Sequence, residues 1–261
     1  MIKSPVSPAA VTFRRARRWL LSAGLLGVTA LAAGGETAAT VAAKVQHAID
    51  GGHPPAWWTP ELPDEVRRDV ERKGVDLAAR AELEDPAKTK KVAALVAEHF
   101  GRVWAWHQQV DPELDAAWDA WDAARDNSGG KEKDEMKALT IMTERIDPLY
   151  AQFAPQVRGF LEALKEEVGE EAANRMIDHY TRSPGAKRTY DAYVAMVPEM
   201  TEEEKAVLWG RLVQAREDSL AAWSGKRIVK IFKKYKVRNE FSIDHFGYGY
   251  RKRYKAWAEG R

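Results

Sequence analysis

The apolar positions Val92, Leu95, Val96, Val103 and Trp106, with His99 in line, recur at threes and fours between Glu84 and Gln109, the spacing of one face of an α-helix. That period returns along most of the chain. A sheet would need sustained alternation of apolar and polar residues, and none occurs; Val and Ile are too dispersed to build strands. Asp85-Pro86 opens the first long pattern, because an Asp side chain accepts a hydrogen bond from a free backbone N–H and Pro gives up an N–H that lacks a partner there. The same dipeptide at Asp111-Pro112 and Asp147-Pro148 predicts two further helix starts. Thr201 with Glu204 predicts a capping box ahead of a helix that places Leu208, Leu212, Ala215 and Trp223 along one side. Gly74, Gly129-Gly130, Gly169, Pro184-Gly185 and Gly225 sit where the patterns stop. The expectation is an all-α fold, a single helical bundle of about seven or eight helices without internal repeats.

Of the 261 residues, 45% are apolar, 31% are charged and none is cysteine, which excludes disordered, collagen-like and disulfide-stapled chains and any Cys-ligated metal. The N-terminus reads differently from the rest. Arg14, Arg15, Arg17 and Arg18 precede an apolar run from Trp19 to Ala33 with Ala30-Leu31-Ala32 as a small-residue cleavage site, the layout of a secretory signal. As a helix that run would span about 22 Å, short of a hydrocarbon core of roughly 30 Å, so no stable membrane span is expected after cleavage. The predicted organisation is therefore a signal peptide over 1–33, an N-terminal arm and Pro-rich loop over 34–63, and a helical domain over 64–261 with a basic aromatic segment at 226–261. The expected location is periplasmic or extracellular.

Without residues 1–33 the chain holds 36 Lys and Arg against 39 Asp and Glu, so its alkaline character resides in the signal. An asymmetry survives: residues 226–261 carry twelve Lys and Arg and three Asp and Glu, which leaves residues 34–225 acidic. Regions of opposite sign in one chain lie against each other or face different partners.

The stretch from Tyr190 to Lys236, reading YDAYVAMVPEMTEEEKAVLWGRLVQAREDSLAAW and then GKRIVKIFKKYK, resembles a bacterial domain-of-unknown-function family, number three thousand eight hundred and twenty-six. Its most specific parts are the Val197-Pro198 turn, the capped helix and the triplet Ala215-Arg216-Glu217. Leu83-Glu84-Asp85-Pro86-Ala87-Lys88 and Trp106-His107 extend the resemblance back toward Leu77, whereas residues 110–150 and the segment after Lys236 depart from the pattern. The resemblance implies an exported, sugar-binding protein and assigns no catalytic residue.

Among chemical constellations the strongest follows Pro112. Asp115, Asp119, Asp122 and Asp126 fall at i, i+4, i+7 and i+11, within about 60° around a helix axis, flanked on one side by Leu114, Trp118, Trp121 and Arg125. Carboxylates accept hydrogen bonds from hydroxyls and a flat indole offers stacking area, so the stripe suits a carbohydrate or Ca²⁺. Two other readings stand beside it: a solvated acidic face with both indoles in the core, or a dock for the basic C-terminal segment. His107, near Asp111, joins this candidate ligand-binding set, while His99 on the apolar face reads as a core histidine. In the C-terminal segment Lys233, Lys234, Tyr250, Arg251 and Arg253 mark a basic aromatic surface. Such a mixture suits nucleic acid in the cytoplasm, but export points instead to acidic glycans or anionic lipid headgroups, and no nucleic acid is expected. No P-loop, dinucleotide fingerprint, H-E-x-x-H or G-x-S-x-G occurs, so no cofactor and no metal is expected. The functional expectation is a carbohydrate-associated binding or accessory protein of the cell envelope. An enzyme acting on polysaccharide through helix-borne carboxylates and a structural interaction module are the alternatives, separated by whether paired carboxylates in a pocket, exposed rings on a groove, or neither is found.

Overall fold

A single helix of 40 residues, Pro86–Arg125, runs about 60 Å through the computed structural model, which describes residues 36–128, 133–181 and 183–260. The signal-like segment lies outside the described residues. Around this helix, α3, stand α1 (Ala38–Asp50), α2 (Asp64–Ala78), α4 (Glu135–Ile141), α5 (Asp147–Val168), α6 (Glu170–Thr181), α7 (Pro184–Met196), α8 (Glu202–Asp218), α9 (Gly225–His245) and α10 (Tyr250–Glu259). No strand occurs among the described residues, and the fold is all-α. None of the described helices is long and apolar enough to cross a membrane.

Only one of the three Asp-Pro pairs starts a helix in the predicted manner. The Asp85 carboxylate accepts from the Ala87 N–H at 2.8 Å and caps α3. Pro112, by contrast, lies inside α3. It sits with Gln108 and Gln109 on the exposed side, so the carbonyl it deprives of a partner faces water, while Val110, Leu114, Ala117 and Trp118 continue the buried face across it. Burial overrides the local break. Asp147-Pro148 follows a π-helical turn, Met142–Ile146, that joins α4 to α5, and the Asp147 carboxylate binds Lys234 and Arg238 instead of capping. The capping box of α8 is present, with Thr201 Oγ1 and Glu204 Oε2 exchanging hydrogen bonds with the opposite backbone N–H groups.

Gly74 does not end a helix; it lets two helices touch. It lies within α2, where a Cβ would stand 2.3 Å from the Ala93 carbonyl oxygen of α3. The Pro-rich loop is likewise drawn inward, with Trp57 buried 5.0 Å from the Phe153 ring. A second, smaller apolar cluster forms where Tyr193, Met196 and Val197 meet Leu208 and Ile243, with Tyr250 and Trp257 of α10 packed on it.

The main core encloses a polar chain with every member satisfied. Arg102 donates to the Gln156 Oε1 at 2.7 Å, which leaves the Gln156 Nε2 to donate to His99 Nδ1 at 3.3 Å. His99 Nε2 then donates to the Leu220 carbonyl at 3.1 Å, and the ring stacks on Phe160 with centroids 4.0 Å apart. Two more side chains grip the same turn: His107 Nε2 bonds the Ala221 carbonyl at 2.9 Å and Tyr180 Oη donates to the Ala222 carbonyl at 2.6 Å. The short 3-10 turn Ser219–Ala221 that ends α8 is thereby fixed at three successive carbonyls.

Two predictions follow from this packing. Gly74→Ala drives a methyl group into a backbone oxygen that cannot swing aside and should cost about 2–3 kcal/mol in urea unfolding. Gly101→Ala, which meets only the flexible tip of Leu62 at 2.9 Å, should cost clearly less; equal losses would contradict the close approach of α2 and α3. The second concerns acid. Burial, aided by Arg102 and opposed by the Leu220 bond, lowers His99 from 6.5 to about 3. Between those values the unfolded chain binds a proton that the folded chain excludes, so this contribution is complete above about pH 6.5 and is lost as pH falls toward 3, at up to about 1.4 kcal/mol per pH unit. Denaturant titrations from pH 7 to 4 should show a shallower stability slope in His99→Gln than in the parent chain, and parallel slopes would refute the assignment.

Candidate functional site

The structure turns the acidic stripe of α3 toward α9. Asp115 pairs with Arg227, and Asp122 with Lys230 at 2.8 Å. Trp118 and Trp121 are fully buried beneath this contact, with Lys230 5.8 Å from the first ring centroid and Lys233 5.4 Å from the second. Neither indole is available for stacking on a sugar, because cations of the same chain cover them. Asp119 remains exposed and Asp126 folds back on Ser128, so the stripe is a helix dock and not a ligand surface. His107 is also withdrawn from the candidate set: it is buried, with Asp111 on Nδ1 at 2.6 Å and the Ala221 carbonyl on Nε2.

Lys234, expected on a basic surface, is instead 0% exposed. Its ammonium lies 2.9 Å from Asp147 and 3.4 Å from Asp218, while Tyr235 Oη donates to Asp218 at 2.6 Å and Arg238 pairs with Asp147. Burial alone would raise the Asp147 carboxyl; Lys234 and Arg238 outweigh it and hold the group below the ordinary carboxylate range. Lys233 is exposed, and Arg253 pairs with Glu199.

Tyr250 and Arg251 are the two predicted residues that the fold gathers into a cleft. The cavity, about 1060 Å³, opens between the C-terminal end of α3, the start of α4, α9 and α10. Asp134 closes one corner: its carboxylate accepts from the Lys137 N–H at 2.8 Å and caps α4, and its own N–H reaches the Ala124 carbonyl at 2.9 Å. Gly247 and Gly249, at φ of 91° and 67°, turn the chain between α9 and α10 where a side chain would be strained. Asp244 then accepts from the Tyr250 N–H at 2.5 Å and fixes the start of α10. Arg251 reaches Glu135 at 3.2 Å across the mouth.

Within this frame stand a carboxyl, a guanidinium and a strip of rings. Glu240 accepts from Tyr250 Oη at 3.0 Å; burial raises its pKa, tempered by that bond and by Lys236 and Arg125. Arg125 lies with its guanidinium carbon 5.0 Å from the Trp121 centroid, and its buried Nε and Nη1 have no hydrogen-bond partner among the described residues. Along α10 the rings of Tyr250, Tyr254 and Trp257 follow one another at 5.9 and 6.3 Å, tilted by 36° and 40°, and Tyr254 is 47% exposed. The cleft thus offers unspent donors, carboxylate acceptors and an apolar face. No cluster of three or more metal-ligating side chains occurs among the described residues.

The family described as "protein of unknown function (DUF3826)" matches residues 67–261. The chain belongs to that family. No curated protein matches it. The matched region takes in the whole cleft and leaves α1 and the Pro-rich loop before it. Two acidic cleft residues, Glu240 and Asp244, went unmarked in the sequence. A signal for them exists, since both interrupt an otherwise basic run.

The two sets of ion pairs should differ in worth. Asp147→Ala leaves two enclosed cations without their shared partner and should destabilise by about 3–5 kcal/mol. Asp115→Ala removes a pair whose carboxylate is exposed and should cost under about 1 kcal/mol. Chemical denaturation of both variants checks this; comparable losses would mean that the α3–α9 contact is more enclosed than described.

Proposed function

We propose that this protein is an exported carbohydrate-binding protein of the cell envelope that holds a saccharide in the cleft between α3–α4 and α9–α10. The carrying observation is the juxtaposition of Arg125, whose buried Nε and Nη1 lack acceptors among the described residues, with the exposed ring of Tyr254 and the carboxylate of Asp244 along one cavity. A sugar ring answers each group: its hydroxyls accept from a guanidinium and donate to a carboxylate, and its C–H face packs on an aromatic ring. The cavity is wide enough for more than one sugar unit. Export is supported by the arginine cluster and apolar run of residues 14–33.

Glu240 favours a second reading. A carboxyl raised by burial, with Asp244 along the same wall, is the kind of pair that hydrolyses glycosidic bonds. One experiment separates the two. The purified full chain is applied to neutral and acidic glycan arrays, and the best oligosaccharide is then titrated into Arg125→Ala, Tyr254→Ala and Lys233→Ala. Binding should weaken about three- to tenfold or more in the first two and be unchanged in the third. Absence of binding to any glycan, or equal affinity in all variants, rejects the cleft. Cleavage of the bound oligosaccharide that Glu240→Gln abolishes would convert the reading to an enzyme.

A further inference from the structure

The charged groups that line the cleft between α3–α4 and α9–α10 are not equally provided for. Each carboxylate already accepts a hydrogen bond from the fold: Asp134 from the Lys137 N–H, Glu135 from Arg251, Glu240 from Tyr250 Oη and Asp244 from the Tyr250 N–H. Of the three cations, Arg125, Lys133 and Arg251, only Arg251 has an ion pair among the described residues. Lys133 is exposed, so water serves it. Arg125 differs, because its Nε and Nη1 are buried without acceptors among the described residues, and Glu240 lies close enough to feel its charge without pairing with it. A partly desolvated cation without a counter-ion gains more from an anion than from a neutral hydroxyl, since charge-assisted hydrogen bonds are roughly twice as strong as neutral ones.

The surroundings narrow the kind of anion. Trp121 covers one face of the Arg125 guanidinium, with the ring centroid 5.0 Å from its carbon, and the edges of such a group match a planar carboxylate lying in the same plane. Met136 and Tyr254, 64% and 47% exposed, line the same cavity and offer apolar area that a small free anion would leave bare. The four carboxylates oppose an anion, but the wall they share with α9 and α10 is basic beyond the lining. Residues 226–261 carry twelve Lys and Arg against three Asp and Glu, and two of those three are Glu240 and Asp244 themselves.

We infer that the saccharide of this cleft is acidic, a uronate whose ring-borne carboxylate lies on an edge of the Arg125 guanidinium while the C–H face of the sugar packs on Tyr254. The inference rests on the reading of the cleft as a saccharide site and names the class of sugar. A uronate carries its charge at the edge of the ring and its apolar C–H groups on the face, so one residue answers the guanidinium and the phenol ring together.

Isothermal titration of the full chain with tetrasaccharides of galacturonate, mannuronate and guluronate, each also fully methyl-esterified, and with cellotetraose and chitotetraose tests this. At least one uronate should bind, and its methyl ester, which keeps the shape and loses the charge, should bind about tenfold or more weakly. Raising NaCl from about 0.05 to 0.5 M should weaken the acid and leave the ester unchanged. Arg125→Gln should abolish the preference for acid over ester while a cooperative thermal transition is retained, and Arg125→Lys, which keeps the charge without the planar fork, should retain part of it. Tyr254→Ala should weaken acid and ester by the same factor. Equal affinity for a uronate and its ester, tighter binding of a neutral tetrasaccharide, or an acid preference that survives Arg125→Gln would overturn the inference and leave the saccharide cleft standing. Absence of binding by every sugar would reject the cleft itself and this inference with it.

Discussion

The grip on the turn after α8 is the constraint from which the rest is hung. A backbone that leaves helical geometry inside a core strands its carbonyls away from water, and each must then find a donor within the chain. Here His99 serves Leu220, His107 serves Ala221 and Tyr180 serves Ala222, two from α3 and one from α6. The donors sit on long, well-buried helices, so the turn is located by elements that cannot easily adjust. Arg216, one residue before Glu217, is anchored to α6 as well, through Asp178 at 2.7 Å and the Asn174 side chain at 2.9 Å. The end of α8 is thereby held on both sides, and the direction in which α9 departs is set.

That direction decides the electrostatics. α9 carries lysines and arginines around much of its circumference, and the structure spends them in two ways. Arg227 and Lys230 meet carboxylates of α3 that remain partly in water, where such pairs contribute little energy but discriminate one docking register from another. Lys234 and Arg238 face inward and meet Asp147 and Asp218, where no solvent can replace a missing partner. A shift of α9 by one turn would forfeit both sets together. The same helix supplies Glu240 and Asp244 to the cleft, so its register governs that site as well.

The sequence conveyed the all-α class through its helical period, and the caps of α3 and α8 through Asp85 and the Thr201–Glu204 pair. It misplaced the helix start at Asp111-Pro112, because Asp-Pro is a local signal and the continuous buried face from Val110 to Trp118 overrules it there; α5 does begin at Asp147, though that carboxylate pairs with Lys234 and Arg238 instead of capping. The stripe of aspartates was correctly found as one helical face, and docking on the basic segment was among its open readings; which neighbour covers a face is a tertiary fact that periodicity does not carry. Lys234 shows the same limit. Among Lys233, Lys234 and Lys236 nothing local distinguishes the one that is buried, and only the positions of Asp147 and Asp218, distant in sequence from one another, pick it out.

The residues that attract the eye in the sequence, Trp118, Trp121 and His107, prove to be those whose demands the fold itself meets by burial or by partners. Chemistry is left where demands are unmet. Arg125 keeps its Nε and Nη1 donors without acceptors among the described residues, in a fold whose Arg102–Gln156–His99 chain is satisfied throughout. The indole N–H groups of Trp106 and Trp121 also lack partners among the described residues, but they are neutral, belong to fully buried rings and do not line the cleft. An uncharged donor sealed in the core is a fixed cost of packing large rings. An unpaired charge on a cavity wall is a cost that a ligand can remove, and that difference favours the cleft over the acidic stripe.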